Sequence, residues 1–248
     1  MKNILSIILF ALFLTFFLQA KAQTSPAHYA KGWGTELNFN PFNGSLSLNN
    51  ASGQIKVRKF LSDKLALRAA IAIGYKSGND KEKQSYGTSP YETTIKKNSL
   101  LTALNLGMEK HFNVGNRLSP YLGFELGFGL KKSKEEFGYN DTKKTIKGGW
   151  QTTSLIYNGQ YYTSQVNYEE RGFISQSGSI LTGFDYYMDD HFYVGYEFGF
   201  GYEFIKYSKL QATVDENFPN NSALPDLDSK TWEIGPQLLN GIRIGYNF

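Results

Sequence analysis

The chain has 248 residues, a formal net charge of +4 at neutral pH and no cysteine. The absence of cysteine excludes disulfides and thiolate metal sites, and so small a net charge does not indicate a nucleic-acid partner. Tyrosine, phenylalanine and glycine are abundant, with 17, 19 and 25 residues. This composition favours strands and interfacial aromatic residues over helix bundles.

The N-terminal residues have the pattern of a secretory signal. Lys2 precedes an apolar run from Ile4 to Leu18, and a small-x-small site follows at Ala20-Lys21-Ala22. The run is shorter than the roughly 20 residues that a spanning helix needs. We therefore predict a signal peptide over residues 1–22, cleaved after Ala22, and a single mature domain over residues 23–248. An uncleaved N-terminal anchor is the alternative.

Apolar residues alternate with polar residues or glycine through most of the mature sequence. Between positions 120 and 130, the even positions are Leu or Phe after Pro120, and most odd positions are Gly or Glu. A strand sorts such residues onto two faces, whereas a helix would spread them around its circumference. The same pattern predicts eight strands, each near or above the length that a tilted membrane strand requires: residues 32–42, 45–60, 64–76, 98–112, 119–132, 171–188, 191–207 and 231–248.

Short and long connections alternate between these segments. Tight turns are predicted at residues 61–64, 113–117 and 189–190, and Asn43-Gly44 predicts a further tight hairpin turn. The remaining links, 77–97, 133–170 and 208–230, are long and polar. We therefore predict an all-β fold, a closed antiparallel eight-stranded up-and-down transmembrane β-barrel. A soluble antiparallel sandwich, which also buries one face of each sheet, is the alternative.

Several stretches resemble a known family: Glu36 to Gly44, Lys59 to Arg68, and the glycine–aromatic alternation from Tyr121 to Gly129. On these the mature chain resembles the outer-membrane β-barrel domain family, within the small eight-stranded barrels related to outer-membrane proteins A and X. The resemblance implies the outer membrane of a Gram-negative bacterium, with lipid and lipopolysaccharide as neighbours. Short turns and both termini are then expected in the periplasm, and long loops outside.

The last strand ends on an aromatic residue, with Tyr246 and Phe248 on one parity. This resembles the signal by which the barrel-assembly machinery recognises outer-membrane barrels, so we assign that role to Tyr246 and Phe248. An ordinary terminal strand that ends in Phe is the alternative.

Charged residues of both signs fall on the predicted inward face. An eight-stranded barrel leaves an interior about wide enough for side chains to fill, so we predict an ion-paired plug, with a polar pathway for small solutes as the alternative. Buried charges must be paired, and Arg68 and Arg243 are each expected to have a carboxylate partner. The predicted inward set is Glu36, Lys56, Arg58, Arg68, Glu109, Glu125, Asp185, Glu197, Glu203, Glu233 and Arg243.

The link 133–170 combines lysines with aromatic residues, which suggests recognition of anionic lipopolysaccharide or a protein ligand. The alternative is that segments such as Gln160 to Tyr168 merely extend strands above the membrane as a solvated sheet. The binding candidates are Lys143, Lys144, Lys147, Trp150, Tyr157, Tyr161 and Tyr162.

Histidines are few, and none of His28, His111 and His191 lies in a predicted outer loop. We expect His111 and His191 to be interfacial turn residues, and no catalytic, metal or cofactor site is predicted. The expected function is that of a non-enzymatic outer-membrane barrel with a structural or surface-binding role in adhesion or ligand recognition. A small porin or solute channel is the second hypothesis, and an enzyme that modifies lipid A is the third.

Overall fold

The computed structural model describes residues 32–39, 54–84, 91–112, 117–157, 162–219, 224–237 and 242–248. The predicted signal peptide and the Asn43-Gly44 turn lie outside these residues and stay predictions. No helix in the described ranges is long and apolar enough to cross a membrane.

The described residues form thirteen strands, and every strand pairing among them is antiparallel. In chain order the strands are β1 (Gly32–Phe39), β2 (Gln54–Ser62), β3 (Leu65–Gln84), β4 (Tyr91–His111), β5 (Leu118–Tyr139), β6 (Thr142–Lys147), β7 (Trp150–Tyr157), β8 (Tyr162–Glu169), β9 (Phe173–Tyr187), β10 (Phe192–Tyr207), β11 (Gln211–Val214), β12 (Lys230–Gln237) and β13 (Ile242–Asn247).

Eight of these strands close a ring of hydrogen bonds. The ring runs β1–β2–β3–β4–β5–β9–β10–β13 and returns to β1. β12 and β13 both pair with β10, so together they occupy the eighth strand position. The ring confirms the predicted closed eight-stranded barrel and excludes the sandwich, because a sandwich would leave sheet edges that a closed barrel does not have.

The two ends of the barrel differ. The turn end carries the connections 63–64, 112–117 and 188–191, together with the first residue of β1 and the last residue of β13. At the opposite end, β3 and β4 run far beyond the ring, and we call this the hairpin end. The short connections predicted at residues 61–64, 113–117 and 189–190 thus all lie at one end of the barrel.

The outer wall of the barrel is an apolar belt. Ile73, Phe128, Ile180, Phe200 and Ile234 are each between 57% and 75% exposed. From Leu118 to Leu130, β5 rises roughly 40 Å along the strand, which a tilt of about 40° reduces to about 30 Å along the barrel axis. This is close to the thickness of a bilayer hydrocarbon core, so the belt is suited to lipid rather than to water.

Beyond the belt, the strands continue as a sheet that we call the arm: β3 residues 76–84, β4 residues 91–99 and β5 residues 131–139, with β6 and β11. The sequence prediction that 77–97 is a long loop is therefore wrong for residues 77–84 and 91–97, which are strand. This stretch is polar on both faces, so it has no apolar alternation to reveal a strand. Its threonine, tyrosine and isoleucine residues nevertheless favour extended backbone, and the β3–β4 ladder simply continues upward.

The links 133–170 and 208–230 are also more regular than expected. The first contains the end of β5, all of β6 and the separate hairpin β7–β8, and the second contains β11. β8 covers most of Gln160 to Tyr168, the segment for which an extended, solvated sheet is the alternative interpretation.

Close packing inside the ring requires glycine at Gly245. A Cβ atom there would lie 1.9 Å from Cζ of the Tyr193 ring on the neighbouring strand. The Tyr193 hydroxyl in turn donates to Glu36, 3.0 Å away. The glycine therefore leaves the space into which the tyrosine inserts.

We expect Gly245→Ala to lower the free energy of unfolding by about 1–3 kcal/mol, because the added methyl displaces Tyr193. Urea unfolding of the protein refolded in phospholipid vesicles, followed by tryptophan fluorescence, measures this loss. Gly235→Ala is the matched control, since no heavy atom lies within 4 Å of its added Cβ. Equal unfolding free energies for the two variants would contradict the packing argument.

Candidate functional site

Nine charged side chains meet inside the turn-end half of the lumen, and we call this group the plug. Its four cations face five carboxylates. Eight of the nine residues are at most 4% exposed, and the side chain of Glu125 is 12% exposed. The plug consists of Lys56, Arg58, Arg68, Arg243, Glu36, Glu109, Glu125, Asp185 and Glu197.

The ladder register explains how so many long side chains fit. Gly107 lies opposite both Arg68 on β3 and Glu125 on β5, and Gly195 lies opposite both Asp185 and Arg243. Because each glycine has no side chain, the charged residues on either side can lean into its space. The abundance of inward glycine noted in the sequence is the steric counterpart of the inward charge.

Arg68 is bound by three carboxylates. Its Nη1 atom lies 2.7 Å from Glu109 and 2.6 Å from Glu197, and its Nε atom lies 2.7 Å from Glu125. Its Nη2 atom also donates to the second oxygen of Glu197 at 3.0 Å. The contacts with Glu109 and Glu197 are charge-assisted hydrogen bonds, which are the strong hydrogen bonds of proteins, and the contact with Glu125 is an ion pair.

Asp185 joins the other two arginines. It accepts from Arg58 Nη1 at 2.7 Å and from Arg243 Nη2 at 2.5 Å. Arg243 Nη1 reaches Glu36 at 3.2 Å and Glu197 at 3.3 Å. Arg243 therefore links Asp185, which binds Arg58, to Glu197, which binds Arg68. All nine groups belong to one network.

Aromatic rings complete the plug. The Tyr121 hydroxyl donates to Glu197 at 2.5 Å, and its ring lies 4.9 Å from the Arg243 guanidinium. The Tyr193 ring lies 4.6 Å from that of Arg58. Sequence analysis missed both tyrosines, although each has the parity of the inward glycines next to it, which is the signal that identifies them.

His111 is not an interfacial turn residue, contrary to the sequence prediction. It is buried at 1% exposure, with Nδ1 2.9 Å from Ser119 Oγ and Nε2 3.2 Å from Glu109 Oε2. β4 includes position 111, as the predicted strand 98–112 does, and His111 has the inward parity of Glu109, so its imidazole turns into the lumen. His191 does lie in a turn, where Nδ1 is 2.9 Å from the Asn247 carbonyl oxygen, and His28 is outside the described residues.

Glu203 and Glu233 do not belong to the plug, which corrects their predicted role. They lie opposite each other on β10 and β12, where Glu203 is partly exposed and Glu233 exposed. Neither has an ion pair with a cation among the described residues. The hairpin-end half of the lumen is lined by small residues such as Ser177 and Gly127, so the two carboxylates there remain in contact with water.

A second set of ion pairs bridges the hairpin-end mouth of the lumen. Glu170 pairs with Lys76 on β3 at 2.5 Å and with Lys131 on β5, and these lysines lower the pKa of Glu170 by hydrogen bonding and charge. Above them, burial raises the pKa of Glu135, although a hydrogen bond from the Gln151 backbone and the charge of Lys97 act against the shift.

The predicted binding set of the 133–170 segment is not one surface. Lys143 pairs with Glu136 and Lys147 is exposed, but Lys144 is buried, because neighbouring residues of β6 face opposite sides. The Trp150 indole donates to the Asn98 carbonyl and lies 6.0 Å from Lys97 rather than from the loop lysines.

The remaining members of that set are Tyr157, Tyr161 and Tyr162. The backbones of Tyr157 and Tyr162 pair in the β7–β8 hairpin, their side chains fall outside the described part of the structure, and so does all of Tyr161.

The predicted assembly residues lie at the turn end. Tyr246 packs edge-on against Phe192 at 4.9 Å and Phe248 at 5.1 Å. Phe248 is 71% exposed, and its backbone nitrogen donates to the Trp33 carbonyl. Their recognition by the assembly machinery stays a prediction.

No group of three or more His, Asp or Glu residues in the described ranges could hold a metal ion. In comparisons with known proteins, a family model described as outer membrane protein beta-barrel domain matches residues 8–235. No curated protein and no solved structure matches the chain.

We expect Arg68→Leu to destabilise the barrel by about 3–5 kcal/mol, because three buried carboxylates then share fewer cations. Urea unfolding in phospholipid vesicles measures the loss. Arg117→Leu removes the same charge from an exposed position at the turn end and should change the free energy of unfolding by less than about 0.5 kcal/mol. Indistinguishable unfolding curves for the two variants would show that the plug contributes nothing.

Proposed function

The chain belongs to the outer membrane protein beta-barrel domain family and is therefore a bacterial outer-membrane barrel; from this premise we propose that it is a non-conducting, non-enzymatic anchor that holds the arm above the outer leaflet. The arm then serves a structural or surface-binding role, in adhesion or ligand recognition. The observation that carries the proposal is the plug.

The plug closes the lumen because its members are held from every side. An eight-stranded barrel leaves space for little more than its own side chains, and the rings of Tyr121 and Tyr193 fill the space between the ion pairs. Opening a path would require separating buried guanidinium and carboxylate groups, which is strongly unfavourable. A solute entering from the hairpin end would therefore meet a floor at Arg68 and Glu125.

The enzyme alternative has one arrangement to consider, the contacts that join Ser119, His111 and Glu109. They follow the order of a nucleophile, a base and an orienting acid. However, Ser119 is only 4% exposed, and Glu109 also accepts from Arg58 and Arg68. A serine enclosed in this way has no room for a substrate, so the contacts favour a structural role.

The arm supports the surface role. Beyond the belt, β3 continues for about 27 Å along the strand from Lys76 to Gln84, further than the turns extend at the opposite end. Its faces carry ion pairs suited to water, such as Lys81 with Glu92 at 2.7 Å. In the orientation that places short turns and both termini in the periplasm, the arm is the part that a partner outside the cell would meet first.

We expect the purified protein in planar lipid bilayers to give no steady conductance above that of protein-free membranes, because the plug leaves no continuous water path. Heat-modifiable migration on gels shows that the inserted sample is folded. Reproducible single-channel steps from folded protein would overturn the proposal and favour the porin alternative.

The orientation can be tested with single cysteines, since the natural chain has none. We expect Asp141→Cys, in the β5–β6 turn of the arm, to react with a membrane-impermeant maleimide on intact cells. Lys64→Cys, exposed in the β2–β3 turn, should react only after the outer membrane is permeabilised. The reverse pattern would place the arm in the periplasm.

A further inference from the structure

Two lysines face each other on the outer wall where β10 and β12 leave the apolar belt. Lys206 lies directly opposite Lys230 in the antiparallel ladder, so their Cβ atoms are about 4.5–5.5 Å apart. Both are exposed and have the outward parity of Tyr202 and Trp232. The pair therefore projects outward at the upper edge of the belt.

This pair is unfavourable without an anion. Like charges directly opposite each other destabilise a sheet, and neither Lys206 nor Lys230 has an ion pair with a carboxylate among the described residues. By contrast, Lys76, Lys131 and Lys209 each pair with a carboxylate at the same end of the barrel. An anion from outside the chain would neutralise the positive charges of these two lysines.

The surroundings of the pair indicate what kind of anion fits. Trp232 is 66% exposed, with its ring 4.5 Å from Phe204 and 6.3 Å from Tyr202. Exposed aromatic residues of this kind occur at the level of lipid head groups. A ligand whose chains lie on the belt and whose negative charge lies at the lysines would satisfy both features.

A third lysine widens the patch. Lys132 is exposed on the outward face of β5, two residues beyond Leu130. Ile174 of β9 pairs with Leu130 on one side and with Lys206 on the other. Leu130 and Lys206 thus lie two strand spacings apart, and Lys132 lies two residues further along β5, so Lys132 and Lys206 are roughly 12 Å apart. This distance spans a disaccharide head group rather than a single phosphate.

We propose that Lys206 and Lys230, flanked by Trp232 and Lys132, form a binding site for the phosphorylated disaccharide of lipid A in the outer leaflet. The choice of lipid A over a phospholipid rests on the orientation given under the proposed function, since that orientation turns this rim toward the outer leaflet. The site lies on the outer wall and does not involve the plug.

The test measures lipid adducts of the folded protein in detergent micelles by native mass spectrometry, with bisphosphorylated lipid A as the probe. We expect K206Q/K230Q to lower the apparent affinity by at least roughly tenfold, given the contribution of each lysine near an anionic lipid surface. K81Q/K83Q removes the same charge from the far end of the arm and should bind as the natural protein does.

Several outcomes would overturn the site. An equal loss of lipid A affinity in both double variants would show that binding depends only on net charge. An unchanged affinity in K206Q/K230Q would show that these two lysines do not bind lipid A. Displacement of lipid A by an equal concentration of phosphatidylglycerol would make it a general anionic-lipid surface instead. Heat-modifiable migration controls for folding, and in lipid-free micelles K206Q/K230Q should unfold at no lower urea concentration than the natural protein, since it loses a repulsion.

The result is separable from the proposed function. Conductance of the folded protein would overturn the non-conducting anchor but leave lipid A binding to the outer wall untouched. Conversely, a failure of lipid A binding would not change the conductance or the cysteine labelling pattern.

Discussion

Pairing between guanidinium and carboxylate groups inside the lumen is the interaction on which the barrel depends. Each of the eight ring strands contributes at least one charged member to the plug. A strand shifted by one residue would turn its charge toward lipid and leave a partner unpaired. The plug therefore penalises wrong registers around the whole ring, in addition to closing the lumen.

The charges could not meet without the glycines opposite them. Gly107 and Gly195 each lie between two charged residues of neighbouring strands, and Gly245 leaves the space that Tyr193 fills. In the hairpin-end half, small residues such as Gly127 and Ser177 lie opposite each other instead. The same steric rule thus concentrates the ion pairs in the turn-end half.

The outer wall follows a different rule, set by the solvent at each height. Within the belt most outward positions are apolar, since lipid cannot satisfy an unpaired polar group, and the outward Thr182 donates its hydroxyl to the Tyr121 carbonyl. Above it, water accepts polar side chains on both faces, so β3 and β4 continue as the arm. At the boundary between these zones, Lys206 and Lys230 stand beside Trp232, where chains and phosphates of a lipid would be found together.

Sequence alone determined the closed barrel, its eight strands and most of the inward charges, because the face of a strand residue follows from a local period of two. The burial of a residue and its neighbours on other strands, by contrast, do not follow from the local sequence. Arg243 meets Glu36 from 207 positions away, and Lys144 is buried because β6 turns it inward. Only the pairing between strands decided that His111 contacts Ser119, that Glu203 lies opposite Glu233 rather than a cation, and that the polar arm continues the ladder. In each case the deciding contact lies across strands, where the sequence pattern of one strand has no information.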